Sequence, residues 1–165
     1  MTAAALTLRL AVPDDAELVA AMSRAFVEDG LRWTWRPGKV GRHIERRDTV
    51  VLVALDGRHM VGFAIMQYSD NSAHLNLLAV HPEYRLSGVG SRMVRWLEKT
   101  ARTAGVFSVA LEVRMGNTGA RRFYKSLGYC ETARLRCYYQ GIEDAIRMYS
   151  DLSAAQDRGA HNRRS

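Results

Sequence analysis

The sequence predicts an α/β domain with a mixed, mostly antiparallel central sheet, and three observations carry that prediction. Hydrophobic periodicity alternates along the chain between the two-residue period of strands and the 3.6-residue period of helices, in the order β-α-α-β-β-β-α-β-α-β-β. Turn-forming residues such as Asp56-Gly57, Gly105, Gly128 and Gln140-Gly141 fall at the borders between those segments. No linker, repeat or compositional break divides residues 1–150, so one domain is expected, followed by a polar tail over 151–165.

Taken in order, "LTLRLAV" (Leu6–Val12) alternates like a first strand. Asp14 followed by Glu17 has the spacing of a capping box, and Leu18, Val19, Met22 and Phe26 then recur at helical spacing up to Gly30. "LRWTWRPG" is irregular and aromatic, and Val40–Arg47 reads as a short helix. Residues 49–80 give three strands, turning at Asp56-Gly57 and Asp70-Asn71. A helix from about Gly88 to Ala104 has Val89, Met93, Leu97 and Ala101 on one stripe. "VFSVALEV" (Val106–Val113) reads as a buried strand. Asn117 can cap the next helix, whose apolar face is Ala120, Phe123, Tyr124 and Leu127. Two strands close the pattern, Tyr129–Tyr139 and Ile142–Ser150.

Composition narrows the function classes. The chain has 165 residues, 47% hydrophobic and 25% charged, which is ordinary for a soluble globular protein. No apolar run reaches the length of a membrane span, and the N-terminus lacks the order of a secretory signal. Cys130 and Cys137 make neither a disulfide framework nor a metal cluster, so a cytoplasmic protein with free thiols is expected, Cys130 as a small buried thiol. The net charge of +7 includes Arg158, Arg163 and Arg164 of the tail, which reads as disordered. The other arginines are scattered, without the dense basic block of a nucleic-acid binder, and form a solvated basic surface.

The segment "LNLLAVHPEYRLSGVGSRMVRWLEKTA" (Leu75–Ala101) passes from an apolar strand through Gly88 and Gly90 into a helix. Glycines remove side chains where something approaches the backbone, and a helix start presents unpaired N–H groups, so the turn suits an anionic group such as a phosphate. A Walker loop would need a Gly-Lys-Ser/Thr ending, and a dinucleotide fingerprint a third glycine where Met93 stands. The plainer reading is that two glycines simply permit a tight turn.

The words "AVHPEYR", "GVG", "LEVR", the Asn117 and Ala120 pair, "FYKSLGY" and "YYQGIEDAIRM" occur together in this order. In them the chain resembles the GNAT superfamily of acetyl-CoA-dependent N-acyltransferases. Its second half is most similar to bacterial ribosomal-protein alanine N-acetyltransferases. The resemblance runs clearly from about Asp48 to Tyr149, and over the N-terminal third only in element order. It implies a sheet splayed at the acyl-CoA site and flanked by helices. It also implies that the backbone N–H groups of Leu86, Ser87, Gly88, Val89, Gly90 and Ser91 hold the coenzyme A pyrophosphate, with the helix dipole assisting. Leu86 stands where the family often has a basic residue; Arg85 and Arg92 can partly compensate. Leu78, Ala79 and Val80 match the strand whose main chain pairs with the pantetheine arm, and Asn117 would contact that arm as well as cap its helix.

Amine acetylation needs a neutral nucleophile, a polarised thioester and a proton for the departing thiolate. An α-amine with a pKa near ~7.7–8.0 is roughly a tenth neutral at pH 7, so a general base assists it. Glu112 is the candidate base, acting directly or through water; the alternative is a structural ion pair with Arg114 or another arginine. Tyr124, seven residues after Asn117, matches the family's acid tyrosine and could protonate the leaving thiolate or hold its sulfur; the alternative is a core aromatic. Asn76 stands where some members place an acid and cannot be a base. His74 and His81 read as solvated or turn histidines rather than a metal site or catalytic dyad, and no metal is expected.

Acceptor choice is expected in residues 26–43 and in the last hairpin. Trp33 and Trp35 either pack across a substrate or cover the core. Glu28 and Asp29 either attract a cationic amine or form an exposed helix end. "YYQGIEDA" is shorter than the corresponding loop of some alanine acetyltransferases. The expected function is acetyl transfer from acetyl-CoA to a primary amine, a protein N-terminus or a small molecule, by direct attack. The competing reading is a noncatalytic acyl-CoA-binding regulatory module of the same fold. No nucleic acid or membrane partner is expected, and a homodimer is left open.

Overall fold

The computed structural model describes residues 6–153; the tail residues 154–165, with Arg158, Arg163 and Arg164, lie outside them. The described residues form four α-helices and seven strands, an α/β structure as the sequence predicts. Two compact units divide the described residues, one of 6–67 and 75–97, the other of 68–74 and 98–153.

In the first unit β1 (Leu6–Leu10), β2 (Thr49–Asp56), β3 (His59–Tyr68, to Gln67) and β4 (Ala73–Val80, from Leu75) are neighbours in chain order. The β1–β2 and β2–β3 pairs are antiparallel, with Leu52 opposite Ala64 and Val53 opposite Phe63. β2 and β3 are nearly continuous apolar runs, and Val51, Val53, Phe63 and Ile65 form the core with Leu77 and Ala79 of β4. Such strands exclude water on both faces. Helix α1 (Ala16–Met22) contributes Val19 and Ala20 to this core, and α2 (Pro37–Glu45) contributes Val40. Leu18, expected on the same stripe, is exposed.

Asp14 does not act as the cap expected of it. The carboxylate of Asp15 instead accepts from the Val12 N–H at 2.8 Å and pairs with Arg9 at 2.7 Å. Beyond Met22 the chain widens into a π-helical turn over Ser23–Val27, because the Glu28 N–H donates to Ser23 O at 2.8 Å. Glu28 is not the exposed helix end expected. It is buried, and its oxygens accept from Ser23 Oγ, Thr34 N, Thr34 Oγ1 and Trp35 N. The carboxylate thereby fastens the "LRWTWRPG" segment, and Trp33 and Trp35 pack against the core. Glu28→Gln would set an NH2 against these donors. Urea unfolding is expected to show a loss of about 1–3 kcal/mol.

Helix α3 (Val89–Thr103) buries Val89, Met93, Leu97 and Ala101, the stripe read from the sequence. Its last turns, from Glu98, belong to the second unit. There β5 (Ser108–Arg114), β7 (Glu143–Asp151) and β6 (Cys130–Tyr139) lie in the order β5-β7-β6, all antiparallel. Between β5 and β6 runs α4 (Thr118–Ser126), and the Asn117 side chain caps it by accepting from Ala120 N at 3.1 Å. β6 is largely exposed, and Cys130 with it, so the expected buried thiol is an exposed one. Buried Glu98 accepts from the Tyr129 hydroxyl at 3.2 Å. No described helix is long and apolar enough to cross a membrane.

Candidate active site

Strand alternation decides which side chains of β5 are available. Val109, Leu111 and Val113 are buried, so Ser108, Ala110, Glu112 and Arg114 project from the other face. The register sets Arg147 of β7 directly opposite Glu112. Arg147 Nε and Nη2 reach Glu112 Oε1 at 3.1 and 3.0 Å. His74, at the start of β4, brings Nε2 within 2.5 Å of Glu112 Oε2. The Glu112 side chain is 7% exposed, against 41% for His74 and 43% for Arg147. A buried carboxylate thus lies between a half-exposed imidazole and a half-exposed guanidinium.

The electrostatics follow from that placement. Burial pushes the Glu112 carboxyl up, but the hydrogen bonds and charges of His74 and Arg147 outweigh burial and hold it below the ordinary carboxylate range. Tyr138 and Tyr139, at the end of β6, sense the same charge. Their phenols are raised first by burial and further by Glu112.

Tyr124 lies on the buried face of α4, edge-on to Phe123 at 5.0 Å and to Tyr129 at 5.6 Å between ring centroids. Burial, with a smaller contribution from Tyr139, raises its phenol well above the ordinary tyrosine value. The hydroxyl therefore stays protonated at any physiological pH.

The glycine turn belongs to the first unit. Pro82–Tyr84 forms a 3-10 turn capped by His81, whose Nδ1 accepts from Glu83 N at 3.2 Å. Tyr84 then ties the turn to β2 by donating to Asp56 Oδ2 at 2.7 Å. Leu86 and Gly88 both adopt positive φ, 62° and 87°, which reverses the chain before α3. The Arg92 N–H donates to Gly88 O at 3.0 Å, so the amides of Val89, Gly90 and Ser91 precede the first intrahelical bond. Open space surrounds the position a Gly88 Cβ would take. Arg85 is directed back along the preceding strand, where Nε donates to Val80 O at 3.0 Å. On β4, Leu78 and Val80 lie on the less buried face with Asn76, while Ala79 faces the core.

The predicted residues thus fall into two groups. Leu78, Ala79, Val80 and Arg85 to Ser91 sit in the first unit, and Glu112, Asn117 and Tyr124 in the second. Sequence reasoning missed two partners. His74, read as solvated or in a turn, is bonded to Glu112; the arginine paired with Glu112 is Arg147, while Arg114 pairs with Glu143 at 3.4 Å. Alternation along β4 placed His74 on the same face as Asn76, which was the available signal. Nothing local announced Arg147, because β7 meets β5 only after α4 and β6 intervene. Among the described residues no group of His, Cys, Asp and Glu has the arrangement of a metal site.

Comparison with known proteins adds four findings. A profile of the Acetyltransferase (GNAT) family matches residues 16–129. The [ribosomal protein bS18]-alanine N-acetyltransferase of Salmonella typhimurium strain LT2 is 38% identical over 116 residues, which cover 68% of this chain and 77% of that protein. Among solved structures, Ard1 of Thermoplasma volcanium superposes with a TM-score of 0.77 at 30% identity, covering 90% of this chain and 98% of the other. The yncA protein of Salmonella typhimurium, solved with acetyl-CoA, superposes with a TM-score of 0.74, covering 90% of this chain and 94% of the other. At 19% identity it speaks to the fold alone.

Proposed function

This chain belongs to the GNAT acetyltransferase family, and from that premise we propose that it transfers an acetyl group from acetyl-CoA to a primary amine, with Glu112 as general base and Tyr124 serving the departing sulfur. The observation that carries the reading is the buried Glu112 carboxylate, held between His74 and Arg147 in the same unit as a buried, protonated Tyr124 phenol.

Acetyl-CoA supplies the activated thioester. The side-chain-poor turn from Leu86 to Ser91 would hold its pyrophosphate on main-chain amides at the positive end of α3, with Leu78 to Val80 offering main-chain groups to the pantetheine arm and Asn117 a side chain. Arg85, fastened to Val80 O, adds positive charge beside that path. The amine nitrogen attacks the thioester carbon, and the C–N bond forms as the C–S bond breaks. Its proton passes to Glu112. Because burial lifts the Tyr124 phenol so far, its contribution is a hydrogen bond to the developing thiolate more than complete delivery of a proton.

The acceptor class we propose is a protein N-terminus or a small amine, since an α-amine needs less help from a base than a lysine does. The bS18-alanine enzyme of Salmonella supports the first. A cytoplasmic setting fits the two free, exposed cysteines.

Incubation with acetyl-CoA and a cell lysate, followed by mass spectrometry, is expected to reveal newly acetylated amines. Acetyl-CoA uptake without any product would support the noncatalytic binding module instead. In Tyr124→Phe, kcat is expected to fall about 10²–10³-fold, in line with the loss of one donor to developing charge. Acetyl-CoA affinity by calorimetry should stay as in the parent. An unchanged kcat would return Tyr124 to a packing role.

A further inference from the structure

Both oxygens of Glu112 are committed, Oε1 to the Arg147 guanidinium and Oε2 to His74 Nε2 at 2.5 Å. An oxygen and a nitrogen that close need one proton between them, since two bare lone pairs would repel. Arg147 is permanently charged and opposes protonation of the carboxylate it holds. The imidazole has the opposite character: its ordinary pKa near ~6.5 puts proton uptake within reach at neutral pH. Exposure completes the picture, because the carboxylate is buried while the histidine ring reaches solvent.

We propose that His74 and Glu112 act as one proton-accepting pair, which shares one proton between Oε2 and Nε2, takes up a second from the acceptor nitrogen and releases one from the imidazole to water. This rests on the reading of Glu112 as the base. In the reactive state Glu112 is a carboxylate and His74 is neutral, with its single ring proton on Nε2 and bonded to Oε2. The N–H bond of the acceptor ammonium breaks, its electron pair stays on nitrogen, and the pair takes up that proton as its second, leaving the carboxylate beside an imidazolium. The imidazolium then loses one proton to water, which resets the pair.

The groups around the pair come from each neighbouring strand: Arg147 of β7, Tyr138 and Tyr139 of β6, and Arg114 of β5 beside Tyr139, itself paired with Glu143. Between about pH 5 and 9 the arginines stay charged and the phenols neutral, so proton uptake in that window falls to the imidazole.

Two measurements test this. The first needs no acceptor: the His74 ring is followed by NMR as pH is varied, in the parent and in Glu112→Gln. Sharing of a proton predicts a midpoint about one unit lower in the variant, since an opposing charge at contact is lost; identical midpoints overturn the pair. The second follows kcat/KM against pH for thiol release with acetyl-CoA and an alanine-initiated peptide. The parent is expected to lose activity on acidification, with its midpoint at that of the parental His74 ring. In His74→Gln that acidic limb should vanish and kcat at pH 7 fall at least tenfold, with calorimetric acetyl-CoA affinity unchanged. A parental limb in His74→Gln overturns the pair but leaves Glu112 as base. If Glu112→Gln turns over at the parental rate, the underlying reading of Glu112 fails, and the pair with it.

Discussion

Glu112→Gln is expected to lower kcat for acetylation of an α-amine by about 10²–10⁴-fold, the usual contribution of a positioned base. The glutamine keeps the volume and can still accept from Arg147, so the β5–β7 register with Arg147 opposite should survive. Lost are the negative charge and the capacity to take a proton. Acetyl-CoA affinity should change little, because the substitution leaves the main-chain amides of the glycine turn unaltered. The deficit should also depend on pH in a defined direction. An α-amine with a pKa near ~7.7–8.0 becomes neutral by itself as pH rises past 8, so the gap between variant and parent narrows there. A gap that stays constant from pH 6 to about pH 9 would mean that Glu112 assists by some route other than deprotonation.

The second large effect concerns stability. Phe63 of β3 is fully buried in the core formed with Val51, Val53, Ile65, Val19 and Ala20. Phe63→Ala is expected to cost about 3–5 kcal/mol, from lost transfer energy and the cavity left behind. Against a total of roughly 5–15 kcal/mol, that is a large share. The thermal midpoint should drop by about 10 °C, given 2–4 °C per kcal/mol for a chain of this size. Leu18→Ala is the matched control: its side chain is exposed on α1, and the expected change stays within about 0.5 kcal/mol. Equal losses at the two sites would contradict the burial pattern.

How far the sequence foretold the structure depended on how local the cause was. The α3 stripe, the Asn117 cap and the turn at Gln140-Gly141 were legible because period, hydrogen-bonding reach and turn chemistry act within a few residues. The widened turn after α1 was not. It depends on a buried acid, Glu28, bonding residues on both sides of itself, and a charged residue followed by Asp29 and Gly30 reads locally as surface. Within the candidate site, the Asn117 cap was legible in the same local way. Glu112 stands out as the one ionisable residue of "VFSVALEV", but its partners lie 38 and 35 positions away in the chain. Register between strands separated by a helix and another strand is set by tertiary packing, and no local signal carries it.

Leu86 places an isobutyl group wholly in solvent, at 107% exposure, on a backbone turned to a φ of 62°. Leucine dislikes that region by about 1 kcal/mol, a handicap glycine escapes and asparagine largely does. Directed evolution for heat resistance alone should therefore select glycine or asparagine at this codon early. A lineage screened only for catalysis has no such incentive. Sequencing both populations would reveal whether the leucine is kept for what it does or merely tolerated.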